Sequence, residues 1–176
     1  MMLHVTVIGY SGSISASPVK ELHGICEEVG RTLARHGHVV MTGGRDGVME
    51  LVSRAVSKEG GRVIGVLPAG DEGNTHNEIR IRTGMDFALR SLILTKSADV
   101  VISIGGQAGT LLEIISSYSY GHPVILMGGT GGWTDRIVSV LIDGKYLDER
   151  RTSEVKRANS IEDLERLLEE AEDGKV

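Results

Sequence analysis

Short apolar runs and longer amphipathic segments alternate along the chain. Residues 5–8, Val-Thr-Val-Ile, have the length and β-branched content of a buried strand and run into Gly9-Tyr10-Ser11-Gly12-Ser13. Ser17-Pro18 reads as a helix N-cap with proline at the first helical position, after which Val19, Leu22, Cys26, Val29 and Leu33 share one face until Gly37. Residues 39–41 predict a second strand closed by Thr42-Gly43-Gly44, and Val48, Leu51, Val52, Ala55 and Val56 line a second helix. A third strand, 63–67, stops at Pro68. From 68 to 84 the pattern is lost, and we expect a flap beside the ligand, since irregular segments of this length in compact domains are functional or disordered. Residues 85–97 predict a helix with Met85, Leu89, Leu92 and Ile93 inward and Asp86, Arg90 and Leu94 on another face.

The most telling stretch follows. Residues 100–104, Val-Val-Ile-Ser-Ile, are a β-branched, largely apolar run with the length of a buried strand that passes through Gly105-Gly106-Gln107-Ala108-Gly109-Thr110 into a helix carrying Leu111, Leu112, Ile114 and Ile115. Residues 123–127 form a further strand, residues 128–132 a Gly-rich turn, and a helix runs on to Leu141. Ser160 with Asp163 caps a last amphipathic helix that turns Ile161, Leu164, Leu167 and Leu168 inward.

Strands alternating with helices predict an α/β fold: a doubly wound, Rossmann-like parallel sheet flanked by helices, joined by right-handed crossovers, as a single domain over 1–176. Such sheets bind ligands at the carboxyl ends of their strands. The candidate phosphate- and nucleotide-binding positions are therefore the Gly-rich turns at that edge: Gly9, Ser11, Gly12 and Ser13; Gly43 and Gly44; and Gly105, Gly106, Gln107, Ala108, Gly109 and Thr110. The last group opens a helix, whose first N–H groups lack intrahelical acceptors and can hold an anion. Glu113 follows Thr110 by three residues, on the same side of that helix.

Composition sharpens this picture in two ways. Glycine supplies 24 of 176 residues, about twice its usual share of roughly 7%, and its doublets follow apolar runs, as strand-to-helix turns do. The net charge of −5 is local: residues 161–173 hold seven carboxylates against Arg166, a sum of −6, which leaves +1 for the rest. An anionic small ligand elsewhere is thus compatible with an acidic protein. No basic stripe and only 3% aromatic residues argue against nucleic acid. Cys26 is alone, as in a reducing compartment, and no leader or apolar run approaching 18 residues is present, so a cytoplasmic protein without membrane contact is expected.

Several chemistries are disfavoured. Gly9 and Gly12 are offset wrongly for a dinucleotide fingerprint, and the second strand ends in Met41-Thr42 without the acidic residue that would hold ribose. No Lys follows any Gly-rich turn, as a nucleoside-triphosphate phosphate loop requires. The six histidines, His36 and His38 beside a turn among them, show no metal-ligand spacing and read as surface or turn residues. Ser11 and Ser13 lack ordered His and Asp partners for a nucleophilic triad. Neither metal nor cofactor is expected.

Taken together, Thr42-Gly43-Gly44-Arg45-Asp46-Gly47-Val48-Met49, Arg90, and residues 106–113 resemble the "lonely guy" family of nucleoside 5′-monophosphate phosphoribohydrolases, long labelled possible lysine decarboxylases. The family signature is PGGxGTxxE, preceded by an Arg-Lys pair. Residues 131–136 and 143–151 look more like a neighbouring branch related to the Rossmann-like domain of a DNA-processing protein and to molybdenum-cofactor carrier proteins. The resemblance implies that Arg90 and Glu113 act around the N-glycosidic bond and that the backbone of Gly106, Gly109 and Thr110 holds a 5′-phosphate. Gly105 stands for the family proline, Gln107 for a glycine, Thr42 for the first glycine of the earlier triplet, and Ser91 for the lysine after the arginine. A side chain at Gln107 narrows the approach of backbone to phosphate, and loss of the lysine argues against a strict cytokinin substrate. No Lys lies in a pyridoxal-phosphate setting, so the decarboxylase label finds no support.

Two functions follow as expectations. The first is hydrolysis of a nucleoside 5′-monophosphate to free base and ribose 5-phosphate, with Arg90 on phosphate or ribose and Glu113 orienting water and stabilising positive charge at the ribose carbon. The alternative is a non-catalytic carrier or sensor of a phosphorylated nucleotide or pterin-type molybdenum cofactor. The plain structural reading of the same residues has Arg90 paired with Asp86 at i, i+4 and Glu113 complementing a helix N-terminus. A homodimer or higher homo-oligomer is expected.

Overall fold

The computed structural model describes residues 1–174. Strands β1 (His4–Gly9), β2 (Val39–Thr42), β3 (Arg62–Leu67), β4 (Ile79–Arg82), β5 (Val100–Ile104), β6 (Val124–Met127) and β7 (Val155–Ala158) form one sheet in the order β4-β3-β2-β1-β5-β6-β7. All six pairings are parallel, with Val5 level with Val40 and Val100. The order reverses between β1 and β5, the place where a doubly wound sheet opens a crevice.

Helices α1 (His23–Arg35), α2 (Gly47–Lys58), α3 (Phe87–Lys96), α4 (Ala108–Ser119), α5 (Gly132–Arg136) and α6 (Ile161–Glu172) cover the sheet. Alternation along β1 divides the core. Val5 and Val7 pack with Cys26, Val29 and Leu33 of α1, Val52 of α2 and Leu164 of α6, whereas Ile8 packs with Ile114 and Tyr118 of α4. Central strands buried on both faces explain why β1, β2 and β5 are mostly apolar runs, with only the small hydroxyl residues Thr6, Thr42 and Ser103 buried among them. No helix among the described residues is long and apolar enough to cross a membrane.

Close approach of α1 to α2 depends on Gly30. A Cβ there would stand 2.6 Å from the Ala55 Cβ and 2.8 Å from the Val52 carbonyl oxygen. Alanine is the better helix former, yet Gly30→Ala should lower the unfolding free energy by about 1–3 kcal/mol through overpacking. Urea denaturation measures this, and an unchanged midpoint would show that the two helices separate freely.

The structure departs from the sequence expectations in several places. Residues 68–84 are not a free flap. They contain β4, and their asparagines tie them to the turn after β2: the Asn74 N–H donates to the Gly44 carbonyl (2.7 Å), as does Asn77 Nδ2 (2.8 Å). β4 was illegible because all four of its residues are exposed at the sheet edge, and β7 because only its end residues, Val155 and Ala158, are buried. Ser17 does not cap α1. Its hydroxyl donates to Glu21 Oε1 (2.5 Å), holding that carboxyl below its ordinary range, while a 3₁₀ turn over Val19–Leu22 precedes the helix. The segment after β6 is shorter than predicted, with α5 passing into a 3₁₀ turn over Ile137–Val140. His38 is buried: its Nδ1 accepts from the Leu3 N–H (3.3 Å), and burial pushes its pKa down.

The largest correction concerns α3. Arg90, Ser91, Leu94 and Thr95 are buried, whereas Met85 and Phe87, Leu89 and Ile93 are exposed, which inverts the predicted face. Phe87, Leu89, Leu92, Ile93 and Leu94 surround the helix, so periodicity alone had no single stripe to select.

Candidate functional site

The carboxyl ends of β1, β2 and β5 bring together segments distant in sequence around a cavity of about 260 Å³. Gly9 and Ser11 come from the end of β1 and the turn after it, Gly43 and Arg45 from the β2–α2 turn, Met49 from α2, Phe87, Arg90, Ser91 and Leu94 from α3, and Gln107, Gly109, Thr110, Leu112 and Glu113 from α4 and its entry. Val7, Ile8, Met49 and Leu94 make an apolar inner wall.

Arg90 is the polar centre of this cavity. It is 5% exposed, and its Nε and Nη1 have no hydrogen-bond partner among the described residues. The proposed pairing with Asp86 does not form: Asp86 instead caps α3, its Oδ1 accepting from the Leu89 N–H (2.9 Å). Gly43 lets the guanidinium lie against the backbone, since any Cβ at 43 would collide with Arg90 Nη1. Burial pushes the Arg90 guanidinium below its ordinary pKa, against the opposing pull of Glu113.

Glu113 faces the same space from α4. Its Oε1 accepts from the Ser91 hydroxyl (2.8 Å). Burial pushes its carboxyl above the ordinary range, while the Ser91 hydrogen bond and the Arg90 charge pull it back. No ion pair within 4.0 Å joins Arg90 and Glu113, so each remains directed at the cavity instead of neutralising the other. A buried cation and a half-buried carboxylate left apart are costly to fold, a pattern that marks a candidate binding site.

The start of α4 supplies neutral donors. Among the described residues, no backbone or side-chain acceptor takes the amides of Ala108, Gly109 or Thr110. The Thr110 hydroxyl donates to the Gly9 carbonyl (3.2 Å), locking the β1 turn to the helix. Gln107 takes φ −107° at the N-cap, so a side chain there strains nothing. Gly105 has φ +63°, which proline cannot adopt, and its N–H donates to Thr130 Oγ1 (2.8 Å).

Not every predicted position reaches the cavity. Gly105 and Gly106 lie behind it, bound to the β6–α5 segment, with the Gly106 carbonyl accepting from the Trp133 N–H (2.9 Å). Gly44 lies beneath the Asn74–Asn77 loop, and its N–H donates to Thr42 Oγ1 (2.9 Å), a role that a glycine at 42 could not fill. Gly12, Ser13 and the Ala108 side chain also lie outside the cavity lining, and the Ser13 hydroxyl accepts from the Ser15 N–H (3.2 Å). Residues 128–132 present amides too, but Asp135 occupies them, accepting from Gly129 (2.9 Å) and Gly131 (2.7 Å).

Sequence reasoning missed Arg45, Phe87 and Ser91 as site residues. Arg45 bonds Asp71 Oδ2 (2.5 Å), and its guanidinium lies 4.9 Å from the Phe87 ring centre, with Arg90 at 6.0 Å on the same ring. The one available signal for Arg45 was its place in the Gly43–Gly47 turn, and nothing local marked Phe87.

Known proteins resemble this chain in sequence and fold to different extents. The profile of the SLOG cluster4 family matches residues 2–164. An uncharacterized protein of Archaeoglobus fulgidus is 39% identical over 106 residues, covering 60% of this chain and 70% of that one. A probable cytokinin riboside 5′-monophosphate phosphoribohydrolase of Oryza sativa subsp. japonica is 30% identical over 125 residues, 65% of this chain and 50% of that protein. The chain thus spans about half the length of that curated phosphoribohydrolase. The X-ray structure of TM1055 superposes with a TM-score of 0.94 at 54% identity, over 97% of this chain and 99% of that one. The molybdenum cofactor binding protein of Rippkaea orientalis gives 0.78 at 28% identity, over 96% of both chains. DNA processing protein A of Helicobacter pylori gives 0.68 at 15% identity over 94% of this chain and 80% of that one, a likeness of fold alone.

Proposed function

Because the chain belongs to the SLOG cluster4 family, we propose that it hydrolyses the N-glycosidic bond of a nucleoside 5′-monophosphate. The observation that carries this reading is the unpaired approach of Arg90 and Glu113 to one cavity beside the free amides of α4. Those amides and the Arg90 guanidinium hold the 5′-phosphate, and the apolar wall of Val7, Ile8, Met49 and Leu94 receives the base. Glu113, ionised, orients a water toward C1′ and stabilises the positive charge that grows there as the C1′–N bond breaks. The bonding pair leaves with the base nitrogen, which takes a proton, and the water oxygen becomes the C1-hydroxyl of ribose 5-phosphate. Named phosphoribohydrolase relatives support the reading.

Incubation of the pure protein with AMP, GMP, CMP and a cytokinin ribotide, followed by chromatography, tests it. Free base with at least one of them is the expected result. Saturable binding without base release would instead support the second reading, a carrier or sensor of a phosphorylated nucleotide or pterin-type molybdenum cofactor. That reading is favoured by Ser91 in the lysine position and by the full-length superposition on the molybdenum cofactor binding protein. In either case the guest is a small phosphorylated molecule, not a nucleic-acid strand, and the site of action is the cytoplasm.

We further propose a homo-oligomer in which the outer faces of α3 and α4 meet a second copy. Phe87 (55% exposed), Leu89 (52% exposed) and Ile93 continue into Leu112 and Ile115, an apolar patch that borders the cavity through Phe87 and Leu112. Sedimentation should show a dimer or larger, reduced to monomer in the double variant Leu89→Glu, Ile93→Glu. A monomeric wild type would refute this.

A further inference from the structure

The Ser91 hydroxyl sits where the resemblance expects an ammonium. Ser91 is 5% exposed, and among the described residues its hydroxyl donates to Glu113 Oε1 alone, at 2.8 Å. Around this bond runs a seam of buried hydroxyls between α3 and α4. Thr95 Oγ1 lies 3.0 Å from both the Ser91 carbonyl and Ser116 Oγ, while Ser116 Oγ and Ser117 Oγ donate to the Glu113 carbonyl at 3.1 and 2.6 Å. Each hydroxyl has one proton, so Thr95 and Ser116 can exchange donor roles. Ser91 has no such choice while Glu113 is ionised.

We infer that Ser91 is a positioning residue: its hydroxyl holds one oxygen of Glu113, fixing the carboxylate's orientation at the cavity and favouring its ionised form. The physical reason lies in the donor type. An ammonium at this place would pair with the carboxylate and cancel its charge, whereas a hydroxyl orients it and leaves the charge available to a developing cation. The other groups facing Glu113 are Arg90 on the same helix as Ser91 and, farther off on the β2–α2 turn, Arg45, which Asp71 already engages. β1 and the turn after it contribute Val7, Ile8, Gly9 and Ser11 to this space, none of them charged, and α4 offers no second titratable group to it. Burial raises the carboxyl's pKa, and the Ser91 bond is the foremost force opposing that rise.

The catalytic part of this inference rests on the hydrolytic reading, but its test does not. In protein carrying ¹³C-labelled glutamate carboxyls, with the Glu113 signal assigned by its loss in Glu113→Gln, an NMR titration gives the Glu113 midpoint without any turnover. Ser91→Ala should raise that midpoint by about one pH unit, a tenfold gain in proton affinity, and Ser91→Thr should restore it. The acid limb of the base-release profile should move up with Ser91→Ala by the same amount. A midpoint identical in wild type and Ser91→Ala overturns the inference. Absence of base release from the wild type refutes hydrolysis alone, and the titration still decides the role of Ser91. If Ser91→Ala fails to fold, Ser91→Cys, similar in size but a weak donor, takes its place with the same expected rise.

Discussion

Glu113→Gln should cut base release on the order of 10²–10³-fold and leave nucleotide affinity nearly unchanged. Gln keeps the shape of the side chain and accepts from Ser91 through its carbonyl oxygen, so the cavity survives, but it offers no negative charge to the ribose carbon. The same variant should be more stable than the wild type at neutral pH. Burial raises the Glu113 pKa, so the folded state binds the proton more tightly than the unfolded chain does. That contribution is complete below about 4.5, the ordinary value, and is lost as pH rises through the elevated folded-state value. Unmodified protein without ligand should therefore lose stability over that interval, and Glu113→Gln should flatten the loss. Steady-state kinetics and thermal melts against pH measure the two effects. Full activity in Glu113→Gln would remove the carboxylate from the mechanism.

Arg90→Met should abolish detectable binding of inorganic phosphate and nucleoside monophosphates while raising the melting temperature of the free protein. Arg90 is buried with two guanidinium nitrogens unbonded and faces an unneutralised Glu113 only across the cavity. Relief of that desolvation is worth about 1 kcal/mol, or roughly 2–4 °C for a chain of this size. Methionine fills a similar length of apolar path beside Phe87 and Leu94. Calorimetric titration with phosphate and AMP, with melts of the ligand-free protein, reads both outcomes. Wild-type affinity in Arg90→Met would overturn the assignment of the anion site. A fall in melting temperature would mean that the guanidinium stabilises the fold. A site whose two charged groups both oppose folding is the pattern expected where function is retained at the expense of stability.

How much of this was legible in the sequence differs by element for physical reasons. β1, β2 and β5 are buried on both faces, so each stands out as a β-branched run broken by no more than a small hydroxyl residue (Thr6, Thr42, Ser103), and α1, α2 and α6 expose one side only, so each carries a clear stripe. The Ser160 cap was legible because capping is local: its Oγ accepts from the Asp163 N–H (3.1 Å). β4 and β7 were not, because edge strands bury too little to leave a pattern. α3 misled because its apolar residues serve two demands, the cavity side and an outer surface, and periodicity does not rank them. In the candidate site, the motif singled out Arg90 and Glu113, which the fold brings to one cavity. The value of Ser91 was not legible, since the bond that gives it a role crosses 22 positions of sequence. Gly105 was noted as a departure, but only its backbone angle shows why proline has no place there.

The reversal of strand order between β1 and β5 carries one last consequence. Gly43 and Arg45 belong to one wing of the sheet, Glu113 and the α4 amides to the other, and α3 spans the gap between them. A phosphorylated molecule seated there, as proposed, would act as a clasp across the midline of the protein, its occupancy felt by both wings together, because neither wing alone forms the cavity.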